Sequence, residues 1–395
     1  MLLSELHDIG RDPAGGVTRL AWTAPELELR EWFASRAAAL GLHEETDGNG
    51  NLWAWWGAAL PGSALVLGSH LDSVPSGGDW DGPLGVAGAF AAIERLQASG
   101  WLPDRPVAVV AFSDEEGARF GVACLGSRLL TGAMQVDRAL SLRDDSGTSL
   151  AEAMTAAGHD PATAGADPAR LARIGEYVEL HIEQGRMLLP GGARGLAGAG
   201  VPLGVASEIW PHGRWRLDFA GVPNHAGTTA LDDRVDPVLA MASGVLEVRR
   251  AAEELGVLGT VGRLRVVPGA VNAIAASASF WIDARGADSD RVRRMIALVE
   301  ERLAAKAEEE SWTAVTPFDR ELTAAVSDAA GGGLPVLPSG AGHDAGVLAL
   351  AGVPAAMLFV RNPTGVSHSP EEHAEESDAL AGVAALEAVI RARAE

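Results

Sequence analysis

The stretch that decides the fold runs from residue 63 to residue 73 and reads Ser63-Ala-Leu-Val-Leu-Gly-Ser-His70-Leu-Asp72-Ser. Its apolar first part, Ser63–Leu67, is typical of a buried parallel strand, and polar residues follow where that strand would end. Two other segments, Pro106–Phe112 and Tyr177–Ile182, repeat this pattern of an apolar run that breaks into acidic and polar residues. Because parallel strands end at the same edge of a sheet, these polar residues are predicted to form one site there.

Predicted helices alternate with these strands. Apolar residues recur at helical spacing over Ala24–Leu40 and Leu84–Ser99, and a further strand is predicted at Asn51–Trp56. The buried-strand pattern resumes late in the chain at Ala355–Val360 and is followed by a closing helix over Ser377–Ala394. The alternation predicts an α/β domain with a mostly parallel sheet. We expect this domain to comprise residues 1–208 and 317–395.

The pattern of apolar and polar residues changes between these two parts of the chain. Arg214–Phe219 and Ala275–Ala284 alternate apolar with other residues, as half-exposed antiparallel strands do, and helices are predicted over Asp236–Glu254 and Asp288–Glu309. A chain of 395 residues also exceeds the roughly 100–200 residues of one domain. We therefore predict a smaller α+β domain, residues 209–316, inserted into the first.

Composition excludes several classes of partner. The chain has 53 Asp and Glu against 31 Lys and Arg, a net charge of −22, so its field repels nucleic acid and anionic membranes. No apolar run approaches the roughly 18–20 residues of a membrane-spanning helix. A single cysteine cannot form an internal disulfide, and no secretory signal pattern opens the sequence. We expect a cytoplasmic protein without membrane or nucleic-acid partners.

Three histidines with nearby carboxylates are candidates for metal ligands: His70, His181 and His368. Each follows or ends an apolar run, and imidazole nitrogen with carboxylate oxygen suits Zn²⁺, Mn²⁺ or Co²⁺. Asp81 and one residue of the adjacent pair Glu115-Glu116 bring the candidates to five. Five ligands of which one bridges could hold two ions and ionise a water between them.

Two neighbouring carboxylates have other expected roles. The glutamate of the pair that binds no metal could take the proton from the water. Asp72, two residues after His70, is placed to accept the second ring N–H of that histidine and to fix its tautomer. In contrast, Glu371 and Glu372 are predicted to be solvated residues near the start of a helix, where acidic residues are favourable.

Seven separated motifs then carry a resemblance: Gly68-Ser-His-Leu-Asp-Ser-Val, Gly77-Gly-Asp-Trp-Asp-Gly-Pro, Glu115-Glu-Gly-Ala-Arg-Phe, His181-Ile-Glu-Gln-Gly, Asn224-His-Ala-Gly-Thr-Thr, Gly340-Ala-Gly-His-Asp-Ala and Ser367-His-Ser-Pro-Glu. As a set they resemble the hydantoinase and carbamoylase-type amidases of the M20 metallopeptidase superfamily. That group holds N-carbamoyl-L-amino acid hydrolases, β-ureidopropionases and allantoate amidohydrolases. Its peptidase relatives typically carry an aspartate where His181 stands, which disfavours exopeptidase activity.

The resemblance implies a role for each matching residue. Asp81 would bridge two divalent ions per subunit, Zn²⁺ or Mn²⁺ with Co²⁺ and Ni²⁺ as alternatives, and Glu115 would be the general base. The implied metal ligands are His70, Asp81, Glu116, His181 and His368. The implied substrate-binding residues are Gln184, His225, Asn272, Arg285 and His343.

The expected function is a metal-dependent amidohydrolase. It would cleave the C–N bond of a small carboxylate-bearing ureido compound, allantoate or an N-carbamoyl-L-amino acid, through a metal-bridged hydroxide. The resemblance further implies a homodimer formed through the inserted domain, which would also close over the substrate as a lid. Two alternatives stay open: an aminoacylase or dipeptidase of the same superfamily, and a non-catalytic metal-dependent ligand-binding protein.

Overall fold

The computed structural model describes residues 3–13, 15–189 and 191–395, and the chain divides into two units, Met1–Glu208 with Pro317–Glu395 and Ile209–Thr316. The strands are β1 (His43–Thr46), β2 (Leu52–Trp56), β3 (Ala64–His70), β4 (Val107–Phe112), β5 (Ile174–Ile182), β6 (Leu203–Ile209), β7 (His212–Ala220), β8 (Asn224–His225), β9 (Leu258–Val267), β10 (Ala273–Ile274), β11 (Ser277–Arg285), β12 (Ala307–Thr313), β13 (Thr316–Pro317), β14 (Val336–Ser339) and β15 (Ala355–Val360). The helices are α1 (Ala24–Ala39), α2 (Pro83–Ala98), α3 (Leu125–Thr131), α4 (Val136–Leu140), α5 (Leu150–Ala156), α6 (Pro168–Leu171), α7 (Gly195–Ala199), α8 (Pro237–Leu255), α9 (Ser289–Leu303), α10 (Arg320–Ala329), α11 (Asp344–Leu350) and α12 (Glu376–Ala394). None of these helices of the described residues combines the length and apolarity needed to cross a bilayer.

The larger unit is built on one sheet with the strand order β1-β2-β4-β3-β5-β15-β6-β13, and β14 pairs with β6. Its four central strands β4, β3, β5 and β15 are mutually parallel, whereas β1, β2 and β6 add antiparallel pairings. The predicted α/β class with a mostly parallel sheet is confirmed. The carboxyl ends of the four parallel strands meet at one edge, because His70 is opposite Phe112 and His181 is opposite Phe359.

The central strands read as apolar runs because both faces of the sheet are covered. Every residue of β3, β4 and β15 is buried, and so are 11 of the 16 residues of α2, which packs on the sheet. The close packing of α2 depends on Gly85, where a Cβ would lie 2.4 Å from the carbonyl oxygen of Leu180. The core therefore holds the strand ends in a fixed arrangement.

The smaller unit is a four-stranded antiparallel sheet in the order β12-β7-β11-β9, with α8 and α9 packed together and α8 against the sheet. Alternate residues of β11 are buried, as the alternating sequence predicts. The helix predicted through Glu309 is wrong beyond Leu303, because Ala304 takes a left-handed conformation with φ of 48° and ends α9. The following residues form the edge strand β12 instead.

Candidate metal centre

Side chains from five separate segments converge at the carboxyl end of the parallel strands. His70 is the last residue of β3, and His181 is the penultimate residue of β5. Asp81 lies in the loop before α2, Glu116 follows β4, and His368 follows β15. The structure thus brings together all five predicted metal ligands.

Asp81 lies at the centre of this group. Its Oδ1 is 3.4 Å from Nε2 of His70 and 3.1 Å from Nε2 of His181. Its Oδ2 is 3.4 Å from Nε2 of His368, and the same nitrogen is 3.4 Å from Oε2 of Glu116. Two clusters therefore share Asp81, each with potential ligand atoms within 4.8 Å of one another. We call them the His181 cluster (His70, Asp81 and His181) and the His368 cluster (Asp81, Glu116 and His368).

The donor set fits divalent cations. Nε2 of His70 and Oε1 of Glu116 are buried, and neither has a hydrogen-bond partner among the described residues. Buried polar atoms without partners are costly, and a bound cation would satisfy both. Imidazole nitrogens and carboxylate oxygens together suit Zn²⁺, Mn²⁺, Co²⁺ and Ni²⁺.

The two buried histidines are oriented by main-chain groups. Nδ1 of His70 donates to the carbonyl oxygen of Asp72 at 3.0 Å, and Nδ1 of His181 donates to that of Ile182 at 2.9 Å. The His70 ring also packs on Gly82, where φ is +83° and a Cβ would lie 2.5 Å from the ring. Both Nε2 atoms are thereby left to face Asp81.

Asp72 differs in one respect from the expectation. Its Oδ1 is 3.6 Å from Nδ1 of His70, so the side chain does not take the ring N–H that its main-chain carbonyl accepts. The carboxylate, which is 3% exposed, instead accepts the main-chain N–H groups of Glu115 and Glu116, each at 3.1 Å. Asp72 therefore fixes the two glutamates directly and His70 through its backbone.

Glu115 lies beside the clusters. Its Oε2 is 3.7 Å from Nε2 of His70, and its Oε1 accepts the thiol of Cys124 at 3.4 Å. Burial, opposed by His70 but reinforced by Asp344, raises the pKa of Glu115 well above its ordinary value. A carboxyl whose affinity for a proton is raised in this way can both accept a proton and return it.

Burial and neighbouring charges shift the pKa values of the residues in the two clusters. Burial and the charge of Asp81 raise the pKa of Glu116 to about 7. The hydrogen bond to Asp81 raises the pKa of His368 to about 9. Burial opposes ionisation of Asp81 itself, but His181 and the other two histidines hold its pKa well below the ordinary value. Cation binding at these residues would therefore displace protons.

Two predicted substrate-binding residues belong to the same unit. Gln184 donates from Nε2 to Oδ2 of Asp81 at 2.8 Å. His343 is buried, with its ring centroid 4.6 Å from that of His181 and its Nε2 2.9 Å from Oγ of Ser339. Burial and then the charge of His181 hold the pKa of His343 well below its ordinary value, so this ring is neutral. Both residues lie next to the clusters.

The three predicted residues of the smaller unit fall into two groups. His225 pairs with Ala273 between β8 and β10, and the N–H of Ala226 donates to the carbonyl oxygen of Asn272 at 3.0 Å. Arg285 ends β11, where Nε and Nη2 donate to Asp283 at 2.7 and 2.6 Å. Arg285 lies at the carboxyl end of β11 and Asn272 lies before its amino end, and β11 itself spans eight residue steps, which is about 27 Å.

Sequence reasoning missed one residue of this region. Glu372 was predicted to be solvated, but it is 5% exposed and accepts the main-chain N–H groups of Trp80 and Asp81. Its neighbour Glu371 is exposed. Composition cannot distinguish two adjacent glutamates, and the available signal was the position of Glu372 four residues after His368.

Comparison with known proteins agrees with this geometry. The chain is 38% identical over 401 residues to the N-carbamoyl-L-amino acid amidohydrolase of Geobacillus stearothermophilus, covering 97% of this chain and 95% of that protein. It is 33% identical over 396 residues to the allantoate amidohydrolase of Escherichia coli strain K12, covering 96% and 94%. The solved structure of a hydantoinase/carbamoylase family amidase from Burkholderia vietnamiensis matches with a TM-score of 0.89 and 31% identity, covering 100% of this chain and 96% of that one. Residues 66–392 match Peptidase family M20/M25/M40. The resemblance seen in the motifs is confirmed, and the chain belongs to the peptidase family M20/M25/M40.

Proposed function

We propose that this protein is a metal-dependent amidohydrolase that cleaves the C–N bond of a linear ureido group on a small carboxylate-bearing molecule. The observation that carries the proposal is the position of Asp81, shared by two potential cation clusters with Glu115 beside them. The related proteins named above are amidohydrolases of allantoate and of N-carbamoyl-L-amino acids. Both compounds present a ureido carbonyl and a carboxylate.

Two divalent cations are the proposed cofactors. His70 and His181 would hold one, Glu116 and His368 the other, and Asp81 would be shared. When bound, such cations lower the pKa of a water molecule and polarise a substrate carbonyl. Zn²⁺ and Mn²⁺ are the first candidates because this donor set suits both.

The residues of the chain supply the proton transfers. Glu115 accepts a proton from the attacking water, whose oxygen forms the new bond to the ureido carbon. The same carboxyl then gives the proton to the leaving nitrogen, so that the C–N bond breaks as the N–H bond forms. Asp72 holds the main chain of Glu115 in place, and burial keeps bulk solvent from this carboxylate.

In this proposal, three residues of the smaller unit bind the substrate. Arg285 would pair with the substrate carboxylate, while His225 and Asn272 would donate to the carbonyl oxygen as it gains charge. Because about 27 Å of β11 separates Arg285 from the other two, one copy of this unit cannot offer all three to one small substrate. We therefore propose that two copies of the chain each contribute to a site.

Exposed surface of the smaller unit supports a homodimer. Strand β9 is ten residues long and lies at the edge of its sheet, with exposed apolar residues Leu258 and Leu264. Helix α8 exposes Leu239 and Leu246. Long exposed edge strands and apolar patches are typical of surfaces that pair with another chain. A second copy of this unit is the proposed occupant, and the same unit is the proposed lid.

The test is ammonia release by metal-free protein reloaded separately with Zn²⁺ and Mn²⁺. The substrates are allantoate, a panel of N-carbamoyl-L-amino acids and N-carbamoyl-β-alanine. N-acetyl-amino acids and a dipeptide, read out by free amine, test the acylase and peptidase activities. We expect turnover of a ureido compound, and turnover confined to the acyl or peptide substrates would contradict the proposal.

A further inference from the structure

The carboxylate of Glu372 joins two loops of the candidate site. Its Oε1 accepts the main-chain N–H groups of Trp80 and Asp81 at 3.1 and 3.0 Å. Its Oε2 is 3.1 Å from the hydroxyl of Ser367, the residue before His368. One buried side chain thus contacts the backbone of the shared ligand and the turn that presents another.

The loop that carries Trp80 and Asp81 packs closely against the side chain of Glu372. A Cβ on Gly78 would lie 2.2 Å from Oε1 of Glu372 and 2.5 Å from its Cβ. Only a residue without a side chain fits at this position while the glutamate occupies its place. Gly78, which in the Gly-Gly sequence at 77 and 78 reads as part of an ordinary turn, therefore allows the approach of Glu372.

His368 needs such support more than the other candidate ligands do. Its side chain is 48% exposed, and its backbone has a left-handed φ of 56°, which is strained for a residue other than glycine. The ring nitrogens of His70 and His181 are fixed by strands and by main-chain carbonyls. The turn that carries His368 is held to the Asp81 loop by Glu372 and Ser367.

The hydroxyl of Ser367 links the two carboxylates. It lies 3.1 Å from Oδ2 of Asp81 and 3.1 Å from Oε2 of Glu372. A serine hydroxyl has one proton to donate and can serve only one of them at a time. A cation held by Asp81 would compete for Oδ2 and leave that proton to Glu372, which strengthens the contact between the loops.

We propose that Glu372 is a positioning residue for the His368 cluster. It sets the separation of Asp81 and His368 and thereby the affinity for the cation at Asp81, Glu116 and His368. The His181 cluster shares Asp81 but takes both of its histidines from strands of the sheet, so it depends on Glu372 less than the His368 cluster does. This inference rests on the proposed cation sites but not on the proposed ureido substrate.

The experiment compares the full chain with three variants: Glu372→Ala, Glu372→Gln and the matched control Glu371→Ala. Metal-free proteins are titrated with Zn²⁺ by calorimetry, and bound metal is counted after gel filtration. Co²⁺ absorption spectra report the coordination of each ion. Loss of a residue that supports a metal ligand typically lowers metal affinity about 10–100-fold. We expect this loss for one of two Zn²⁺ ions in Glu372→Ala, an intermediate loss in Glu372→Gln, which keeps an oxygen for the two N–H groups, and none in Glu371→Ala.

Two results would overturn the inference: affinities in Glu372→Ala equal to those of Glu371→Ala, or equal losses at both ions. If Glu372→Ala does not fold, Glu372→Gln decides, and wild-type affinities in that variant refute the role. The readout is metal binding, so the outcomes separate from those of the proposed function. Two tight Zn²⁺ ions in the wild type without ureido turnover would contradict the substrate assignment alone.

Discussion

Replacement of Asp72 by asparagine tests how the site holds its proposed base. Each carboxylate oxygen of Asp72 accepts one main-chain N–H, from Glu115 and from Glu116, at 3.1 Å. Asparagine has the same shape but only one acceptor oxygen, and its amide group would face the second N–H as donor against donor. One buried N–H is therefore left without a partner, and the segment that carries both glutamates must shift.

The expected size follows from the lost bond. A hydrogen bond to a charged acceptor contributes about 1.5–3 kcal/mol. About 1.4 kcal/mol corresponds to a factor of ten in rate. If the whole free energy of the lost hydrogen bond displaces Glu115 from its catalytic position, kcat should fall about 10–150-fold. The assay is ammonia release from the best ureido substrate with saturating Zn²⁺, alongside bound-metal counts.

Metal content distinguishes this explanation from the role first expected of Asp72. The main-chain carbonyl that orients His70 is unchanged in the variant, so the cation at His70 should remain bound, and any loss of affinity should fall on the ion at Glu116, whose main-chain N–H Asp72 also holds. The exposed Asp145→Asn carries the same chemical change away from the site and should behave as wild type. A wild-type kcat in Asp72→Asn would refute the role of Asp72 in positioning Glu115. Loss of the ion at His70 would instead indicate that the Asp72 side chain fixes the tautomer of His70.

Four further outcomes are expected. Glu115→Gln should lower kcat about 10²–10⁴-fold with both metal ions retained, because a general base contributes that much; an unchanged kcat would exclude the mechanism. Mixing inactive Arg285→Ala and His225→Ala chains should restore about a quarter of wild-type activity in a symmetric dimer that shares its sites, whereas no recovery would show that both act within one chain. Burial raises the pKa of Glu183 to about 7, so its stability contribution relative to Glu183→Gln is largest below the ordinary pKa and is lost as pH rises through 7; thermal unfolding at pH 5 and pH 8 checks the sign. Zn²⁺ at 100 times its dissociation constant should stabilise the metal-free protein by about 2.7 kcal/mol per site, seen as a higher melting temperature, and an unchanged melting temperature would argue against folded-state binding.

The sequence predicted the strand ends of the larger unit well for a physical reason. A strand buried on both faces must be apolar throughout, so the first polar residue marks where it leaves the sheet. His70 and His181 stand at such points, and parallel pairing brings them together without any further information. The convergence of His70 and His181 follows from this rule, whereas Asp81, Glu116 and His368 lie on loops beyond the strand ends; the roles of all five as ligands stay predictions.

Other features depend on contacts that no local pattern encodes. Glu371 and Glu372 are adjacent residues of the same type, and only the fold of the Asp81 loop decides which of them is buried. The end of α9 at Leu303 follows from a left-handed Ala304, where the sequence offers no glycine as a signal. The separation of Arg285 from Asn272 becomes visible only once β11 is known to run between them.

The two proposed cation sites differ in whether strands or loops carry their ligands. The His181 cluster takes both histidines from strands, whose positions are set by a ladder of backbone hydrogen bonds and by a close-packed core. The His368 cluster takes all its side chains from loops, which are held by the carboxylates of Asp72 and Glu372. Each loop that must be ordered costs conformational entropy, so this cluster should bind its cation more weakly and respond more to substitutions nearby. Unequal affinities in the wild type, with only the weaker one sensitive to Asp72 and Glu372, would be the signature of a site built half on strands and half on loops.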